Sequence, residues 1–175
     1  MLDWHSAVAD DILDAVSDSV FWKRYLEPLI RGKHVPFDLH LAVCIEPFLR
    51  YILDGQKTIE SRFSSMKCAP YQSCKLGDVV LLKKAGGPVV GICQIASVRF
   101  YQLGENSWRE IKSFASEICA EDPTFWEARE AASFATLMRI KHVQAINPIK
   151  VEKRDRRGWV VLRRASEQHT LEMVK

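Results

Sequence analysis

The chain has 175 residues, of which 47% are hydrophobic, and its formal net charge is +3 at pH 7. This length and composition predict one buried core with a helical extension and argue against two large domains. No apolar run approaches the roughly 20 residues that a membrane-spanning helix needs, and residues 1–5 lack the basic start and apolar core of a signal peptide. We therefore expect a cytoplasmic protein with no membrane partner.

The cysteines and histidines show no pattern typical of a disulfide framework or a metal site. The five cysteines are an odd number and include no C-x-x-C pair, and the five histidines are scattered along the chain. We expect the thiols to be reduced, and we expect no metal ion or other cofactor.

Residues 1–35 are predicted to form an N-terminal helical arm. Apolar side chains recur at three- and four-residue steps over residues 3–31, which indicates helix, and Ser17-Asp18-Ser19 is expected to divide it into two helices. The arm could cover a cleft, pair two subunits into a homodimer, or buttress the domain that follows. The sequence leaves these three roles open.

From residue 36 the pattern changes to short strands with helices inserted between them. Strands are predicted over residues 38–45, 79–84, 88–101, 138–146 and 157–163, and helices over 46–54, 107–120 and 123–134. Gly86-Gly87 is the clearest hairpin turn, and Pro148 is expected to interrupt a strand. These elements predict an α+β domain over residues 36–165, a small and partly closed β-barrel with flanking helices. Residues 166–175 are predicted to be a tail without packing partners.

The most concentrated chemistry in the chain follows Gly55, where Lys57, Glu60 and Arg62 fall within six residues. Glu60 and Arg62 share one face of a predicted strand, and Lys57 at the helix–strand junction can turn toward them. The two cations suit phosphate or carboxylate, and the glutamate can accept a proton. The alternative is an exposed ladder of ion pairs on a strand, which would be worth little energetically.

Two further features are candidates for the same chemistry. Tyr51 precedes Lys57 by six residues and could stack a base or share a proton, or else only pack against Phe48. A basic segment near the C-terminus could bind nucleic acid together with Lys57 and Arg62, or could be a solvated hairpin tip. The residues of this basic segment that we assign to nucleic-acid binding are Lys150, Lys153, Arg154, Arg156 and Arg157.

The chain resembles the ASCH family, which is named for its homology to activating signal cointegrator 1. The resemblance covers about residues 38–164 and depends most on a G-x-K-x-x-E-x-R signature, matched at Gly55, Lys57, Glu60 and Arg62. The glycine–aspartate turn at Gly77-Asp78 supports it. Residues 1–35 fall outside the resemblance.

The resemblance implies a PUA-like β-barrel with helices beside a cleft that the signature residues line. It also implies RNA or a nucleotide as partner, and hydrolysis in some members of the family. In a branch that removes an acyl group from modified cytidine, a threonine nucleophile stands at the position equivalent to Glu60, so the glutamate argues against that activity here.

Our hypothesis from the sequence is an RNA- or nucleotide-binding protein with metal-independent ribonuclease activity. Glu60 would act as the base, and Lys57 and Arg62 would stabilise the charge that develops at phosphorus. Two alternatives stay open. One is a non-catalytic RNA reader or coactivator-type interaction module, and the other is an amidohydrolase that acts on an acylated modified nucleoside. The sequence does not decide whether the protein is an enzyme.

Overall fold

The computed structural model describes residues 4–30, 35–151 and 156–165, apart from the side chains of residues 4–8 and 30. Within these ranges the chain forms one six-stranded sheet with flanking helices. The helices are α1 (Trp4–Ala15), α2 (Val20–Ile30), α3 (Phe48–Leu53), α4 (Glu105–Lys112), α5 (Ala115–Ile118) and α6 (Pro123–Glu127). The strands are β1 (Leu39–Cys44), β2 (Ile59–Ser64), β3 (Val79–Lys84), β4 (Val89–Gln102), β5 (Phe134–Ile149) and β6 (Trp159–Arg163).

The sheet is a curled half-barrel, so the predicted α+β, partly closed barrel is confirmed. Its strands lie in the order β2-β5-β4-β3-β1-β6, with β1 parallel to β3 and every other pair antiparallel. The central strands β4 and β5 are 14 and 16 residues long, and their pairing shifts register at three places. Such irregularities bend a strand and increase its twist, which curls the sheet.

Gly91 in β4 allows helix α3 to pack closely on the inside of the curl. A Cβ atom at this position would lie 2.7 Å from Leu53 Cδ2 and 3.2 Å from Leu82 Cδ1. A side chain at position 91 would force Leu53 to shift. Gly91 therefore helps to hold in place the helix that leads into the Lys57–Arg62 strand.

One arginine bridges the two edges of the half-barrel. Strands β2 and β6 are the edges of the sheet and do not pair with each other. Arg62 on β2 donates from Nη1 to the carbonyl oxygen of Gly158 at 3.2 Å, and its guanidinium lies 5.3 Å from the ring centre of Trp159 at the start of β6. A side chain thus spans the gap that backbone hydrogen bonds leave open.

The N-terminal helices pack on the barrel and share its core. Ile12, Val16, Trp22 and Leu26 are buried in one cluster with apolar residues of β1, β3, β4 and β5. Hydrogen bonds also anchor helix α2 to the barrel. Trp22 Nε1 donates to the carbonyl oxygen of His142 at 3.1 Å, and the Tyr25 hydroxyl donates to the carbonyl oxygen of Gly77 at 2.7 Å. Of the three roles expected for the arm, the described residues act as a buttress, and a homodimer through these helices stays a prediction.

Several element boundaries differ from those that the sequence predicts. The helix expected over 107–120 is divided into α4 and α5, and α5 ends at Ile118, where the left-handed Cys119, with a φ of 58°, follows as its C-cap. The helix expected over 123–134 ends at Glu127, and β5 then begins at Phe134 and continues past Pro148. A bulge explains this continuation, because Ala145 pairs with Gly91 and Ile149 with Val89, so the proline between them needs no ladder partner.

No helix in the described part of the chain has the length and apolar character needed to cross a membrane. The predicted tail, residues 166–175, lies outside the described residues.

Candidate functional site

The structure brings Lys57, Glu60 and Arg62 together at one pocket of about 400 Å³. The pocket lies between the end of β1, helix α3, strand β2 and helix α6. The residues that line it are Val43, Cys44, Ile45, Phe48, Lys57, Glu60, Ser61, Arg62, Phe63, Phe125, Ala128 and Arg129.

The local backbone explains how this strand delivers its charges to the pocket. Gly55 follows α3 with a φ of 76°, the left-handed conformation that commonly ends a helix. The Lys57 amide then donates to the carbonyl oxygen of Tyr51 at 2.9 Å, which closes the turn before β2 begins at Ile59. Glu60 and Arg62 lie two residues apart on β2 and therefore face the same side.

Lys57 is a buried and fixed cation at the wall of the pocket. Its side chain is only 3% exposed, and Nζ donates to the carbonyl oxygens of Ile59 at 2.8 Å and Ile118 at 2.9 Å. Nζ also lies 3.5 Å from Glu60 Oε2. Burial lowers the pKa of the Lys57 ammonium, and the nearby Glu60 carboxylate offsets only part of that effect.

Glu60 is ionised and held by the two cations. Its Oε1 accepts from Arg62 Nε at 2.7 Å, and the residue is 8% exposed. Burial alone would raise the pKa of Glu60, but the charges of Arg62 and Lys57 outweigh it, and the pKa falls below the usual glutamate value. Because Lys57 and Glu60 are buried and Arg62 is half-buried, the arrangement differs from the exposed ladder that the sequence also allowed.

Arg129 is a pocket residue that the sequence reasoning missed. Its guanidinium lies 3.6 Å from the ring centre of Phe125, and Nη1 donates to the carbonyl oxygen of the same residue at 2.6 Å. Burial lowers the pKa of Arg129, and the neighbouring Glu60 opposes this shift. Arg129 follows Phe125 by four residues, and this spacing places their two side chains on one face of a helical turn. That spacing is the signal in the sequence by which Arg129 could have been found.

Aromatic rings form the apolar walls of the pocket. Phe48 and Phe125 pack edge to face with ring centres 5.6 Å apart, and Phe63 lies 6.2 Å from Phe125. Against these walls stand three cations, at positions 57, 62 and 129, and one carboxylate, at position 60. The pocket therefore suits a ligand that combines a planar, weakly polar part with a negative charge.

Two groups of predicted site residues lie elsewhere. Tyr51 packs edge to face on Phe48, with ring centres 6.3 Å apart, and lines a neighbouring hollow with Gln56 and Cys119. In the basic segment, Lys150, Arg156 and Arg157 are exposed and do not line the pocket. Lys153 and Arg154 lie outside the described residues.

A buried cluster at the start of β1 has the residue types of a metal site. The ligand atoms of Asp38, His40 and Asp78 lie within 4.8 Å of one another. Protein donors already occupy these groups, since Asp78 accepts from His40 Nε2 at 3.0 Å and Asp38 accepts from Arg164 Nη1 at 2.8 Å. Trp159 Nε1 donates to His40 Nδ1 at 3.2 Å. The cluster ties β1, the turn before β3 and the end of β6 together.

Comparison with known proteins supports the fold. No family model and no curated protein matches the chain by sequence. The crystal structure of ASCH from Zymomonas mobilis matches with a TM-score of 0.57 and 15% identity, covering 71% of this chain and 87% of that chain. Two crystal structures of single-residue variants of the Zymomonas mobilis protein also match. The tyrosine-to-phenylalanine variant has a TM-score of 0.51 and 16% identity, and the match covers 71% of this chain and 90% of that chain. The serine-to-alanine variant has a TM-score of 0.53 and 15% identity, and the match covers 73% of this chain and 90% of that chain. The chain therefore has the ASCH-domain fold.

Proposed function

We propose that the pocket binds one nucleotide of an RNA chain and that the protein cleaves the adjacent phosphodiester without a metal ion. One observation carries the proposal. Three cations and a single carboxylate converge in a pocket walled by phenylalanines. A nucleotide has both features that such a pocket recognises, because its base offers a planar face and its phosphate a negative charge.

The binding mode follows from the placement of these groups. A base would pack against the phenylalanines that line the pocket, while the phosphate meets Arg62 and Arg129. Both arginines are positioned beforehand, Arg62 by Glu60 at 2.7 Å and Arg129 by the carbonyl oxygen of Phe125 at 2.6 Å. Side chains that are held before the ligand arrives lose little conformational freedom on binding.

Cleavage would use the ribose 2′-hydroxyl as the nucleophile. Glu60 accepts the hydroxyl proton, the 2′-oxygen bonds to phosphorus, and the bond from phosphorus to the 5′-oxygen of the next nucleotide breaks. Lys57 donates a proton to that leaving oxygen, and Arg62 stabilises the charge on the phosphoryl oxygens. The products are a 2′,3′-cyclic phosphate and a 5′-hydroxyl end. The proton on Glu60 then returns to Lys57, whose Nζ lies 3.5 Å away.

The pKa values of the pair bear on this mechanism. Burial lowers the pKa of Lys57, which makes its ammonium a readier proton donor. The pKa of Glu60 is also lowered, by Arg62 and Lys57, so in the free protein it is a weak base. A phosphate that engages Arg62 would relieve part of this pairing and raise the pKa of Glu60 toward its usual value.

The weak basicity of Glu60 also favours a second candidate, an RNA reader that binds without cleaving. The two candidates differ in product and not in binding. The amidohydrolase alternative has less support, because position 60 carries a carboxylate and burial raises the pKa of the Cys44 thiol in the pocket to about 12. A thiol with so high a pKa is a poor nucleophile at neutral pH.

The test uses a labelled single-stranded RNA of mixed sequence in the presence of a chelator. We expect binding that weakens as salt rises and products that end in cyclic phosphate. Arg129→Gln should weaken binding about tenfold, because a charged hydrogen bond to phosphate is lost. Arg109→Gln is the matched control, since Arg109 is exposed and pairs with Glu105 outside the pocket.

An RNA affinity that changes neither with salt concentration nor with Arg129→Gln would contradict the proposed function. Salt-dependent binding without any cleavage product would support the RNA reader and would contradict the proposed ribonuclease activity.

A further inference from the structure

A second, smaller groove of about 170 Å³ opens beside the pocket and shares Arg62 and Phe63 with it. The groove lies in the gap between the sheet edges β2 and β6. Its other lining residues are Ser64, Cys68, Ala69, Pro70, Tyr71, Thr136, Gly158 and Trp159. The two hollows are therefore adjacent, and Arg62 lines both of them.

Tyr71, which lines this groove, belongs to a cluster of aromatic rings. The half-buried Tyr71 ring packs 5.0 Å from the ring centre of Phe134 and 5.7 Å from that of Phe100, which is 36% exposed. Lys67 Nζ lies 5.6 Å from the ring centre of Phe134. A cation at the edge of an exposed aromatic cluster is the combination that single-stranded nucleic acids bind.

Positive charge also lies on the side that the groove shares with the pocket, where Arg62 lines both. The Arg62 guanidinium is 5.3 Å from the ring centre of Trp159 and donates to the carbonyl oxygen of Gly158. Arg156 and Arg157, both exposed, directly precede that glycine. A phosphate at the junction of the two hollows would thus meet a cation on β2 and lie near the basic loop before β6.

We infer that this groove holds the neighbouring nucleotide of the same RNA strand. The inference rests on the proposed function of the pocket and extends it. The base of the second nucleotide stacks on Tyr71, and the phosphate that joins the two nucleotides lies beside Arg62. The substrate class is then single-stranded RNA, because a mononucleotide fills one hollow only and a duplex keeps its bases paired and stacked.

The experiment compares two probes on the same protein, a 2′-O-methyl oligouridine of about eight nucleotides, which cannot be cleaved through its 2′-oxygen, and uridine 3′-monophosphate. We expect the oligomer to bind at least about tenfold more tightly than the mononucleotide. Tyr71→Leu should weaken oligomer binding about tenfold, because base stacking on the ring is lost, and should leave mononucleotide binding unchanged. Lys67→Glu should have the same selective effect without disturbing the core, since Lys67 is exposed.

Lys141→Glu is the matched control, since it is an exposed lysine that lines neither hollow and undergoes the same change of charge. Equal affinity for the two probes would overturn the inference. The inference would also be overturned if Tyr71→Leu and Lys67→Glu weaken oligomer binding no more than Lys141→Glu does. In either case, if the parent protein still binds the mononucleotide, the proposed role of the pocket stands. If the parent protein binds neither probe, the proposed function is overturned as well.

Discussion

Replacing Lys57 with methionine is expected to slow RNA cleavage by about a hundredfold or more, the usual effect of removing one preorganised charge from a site. In the proposed mechanism the buried ammonium, whose Nζ lies 3.5 Å from Glu60, protonates the leaving oxygen. Methionine keeps the length and apolar character of the side chain while it removes the charge. Single-turnover cleavage of a labelled RNA, with the parent protein and the variant side by side, measures the effect.

The control for this variant must separate chemistry from folding. Lys57 also donates to the carbonyl oxygens of Ile59 and Ile118, so its loss leaves two buried acceptors without a donor and costs about 1–3 kcal/mol of stability. Thermal unfolding shows whether Lys57→Met is folded at the assay temperature. Lys141→Met, an exposed lysine outside the pocket, should cleave at the parent rate. Cleavage by folded Lys57→Met at the parent rate would remove Lys57 from the mechanism.

The second large effect is expected from Glu60→Gln, which should lower the free energy of unfolding by about 3 kcal/mol at neutral pH. The change leaves the buried Lys57 and the half-buried Arg62 beside a neutral group, and breaking a buried ion pair from one side costs about this much. Urea unfolding measures the loss. Glu105→Gln is the matched control and should have a small effect, because its pair with Arg109 is exposed.

The same variant predicts a pH dependence with a definite sign. The pKa of Glu60 in the folded protein lies below its ordinary value of 4.5. Its stabilising contribution is therefore complete above about pH 4.5 and is lost as the pH falls through the folded pKa. The stability difference between the parent protein and Glu60→Gln should be largest near neutral pH and should shrink in acid. A difference that does not change with pH would show that the Glu60 carboxylate is not stabilised by its neighbours.

The grouping of Lys57, Glu60 and Arg62 could be predicted because it depends on local rules. Gly55 supplies the left-handed turn that ends α3, and the two-residue period of a strand then sets Glu60 and Arg62 on one face. The Gly86-Gly87 hairpin between β3 and β4 follows from equally local turn chemistry.

The rest of the site depends on contacts between residues far apart in the chain. Arg129 lines the same pocket as Glu60 only because the segment after α6 lies beside β2, and Lys57 is held by the carbonyl oxygen of Ile118 from α5. Tyr51 shows the reverse case, since its position before Lys57 suggested a shared site and the structure turns it toward another hollow. The path of β5 past Pro148 also depends on a bulge that strand periodicity does not reveal.

Arg62 connects the fold to the proposed chemistry. It pairs with Glu60, spans the open edges of the sheet to Gly158, and lies at the junction of the pocket and the smaller groove. A ligand phosphate at this junction would compete with both protein partners of the guanidinium. Binding and the closure of the half-barrel are thus expected to be coupled through one side chain.

The most direct test of the central claim is a crystal structure of the protein with a 2′-O-methyl RNA dinucleotide, which cannot be cleaved through its 2′-oxygen. We predict that its bridging phosphate lies within hydrogen-bond distance of Arg62 or Arg129, with one base against the phenylalanine walls of the pocket. An ordered dinucleotide on another face of the protein, with the Lys57–Glu60–Arg62 pocket free of ligand, would contradict the account.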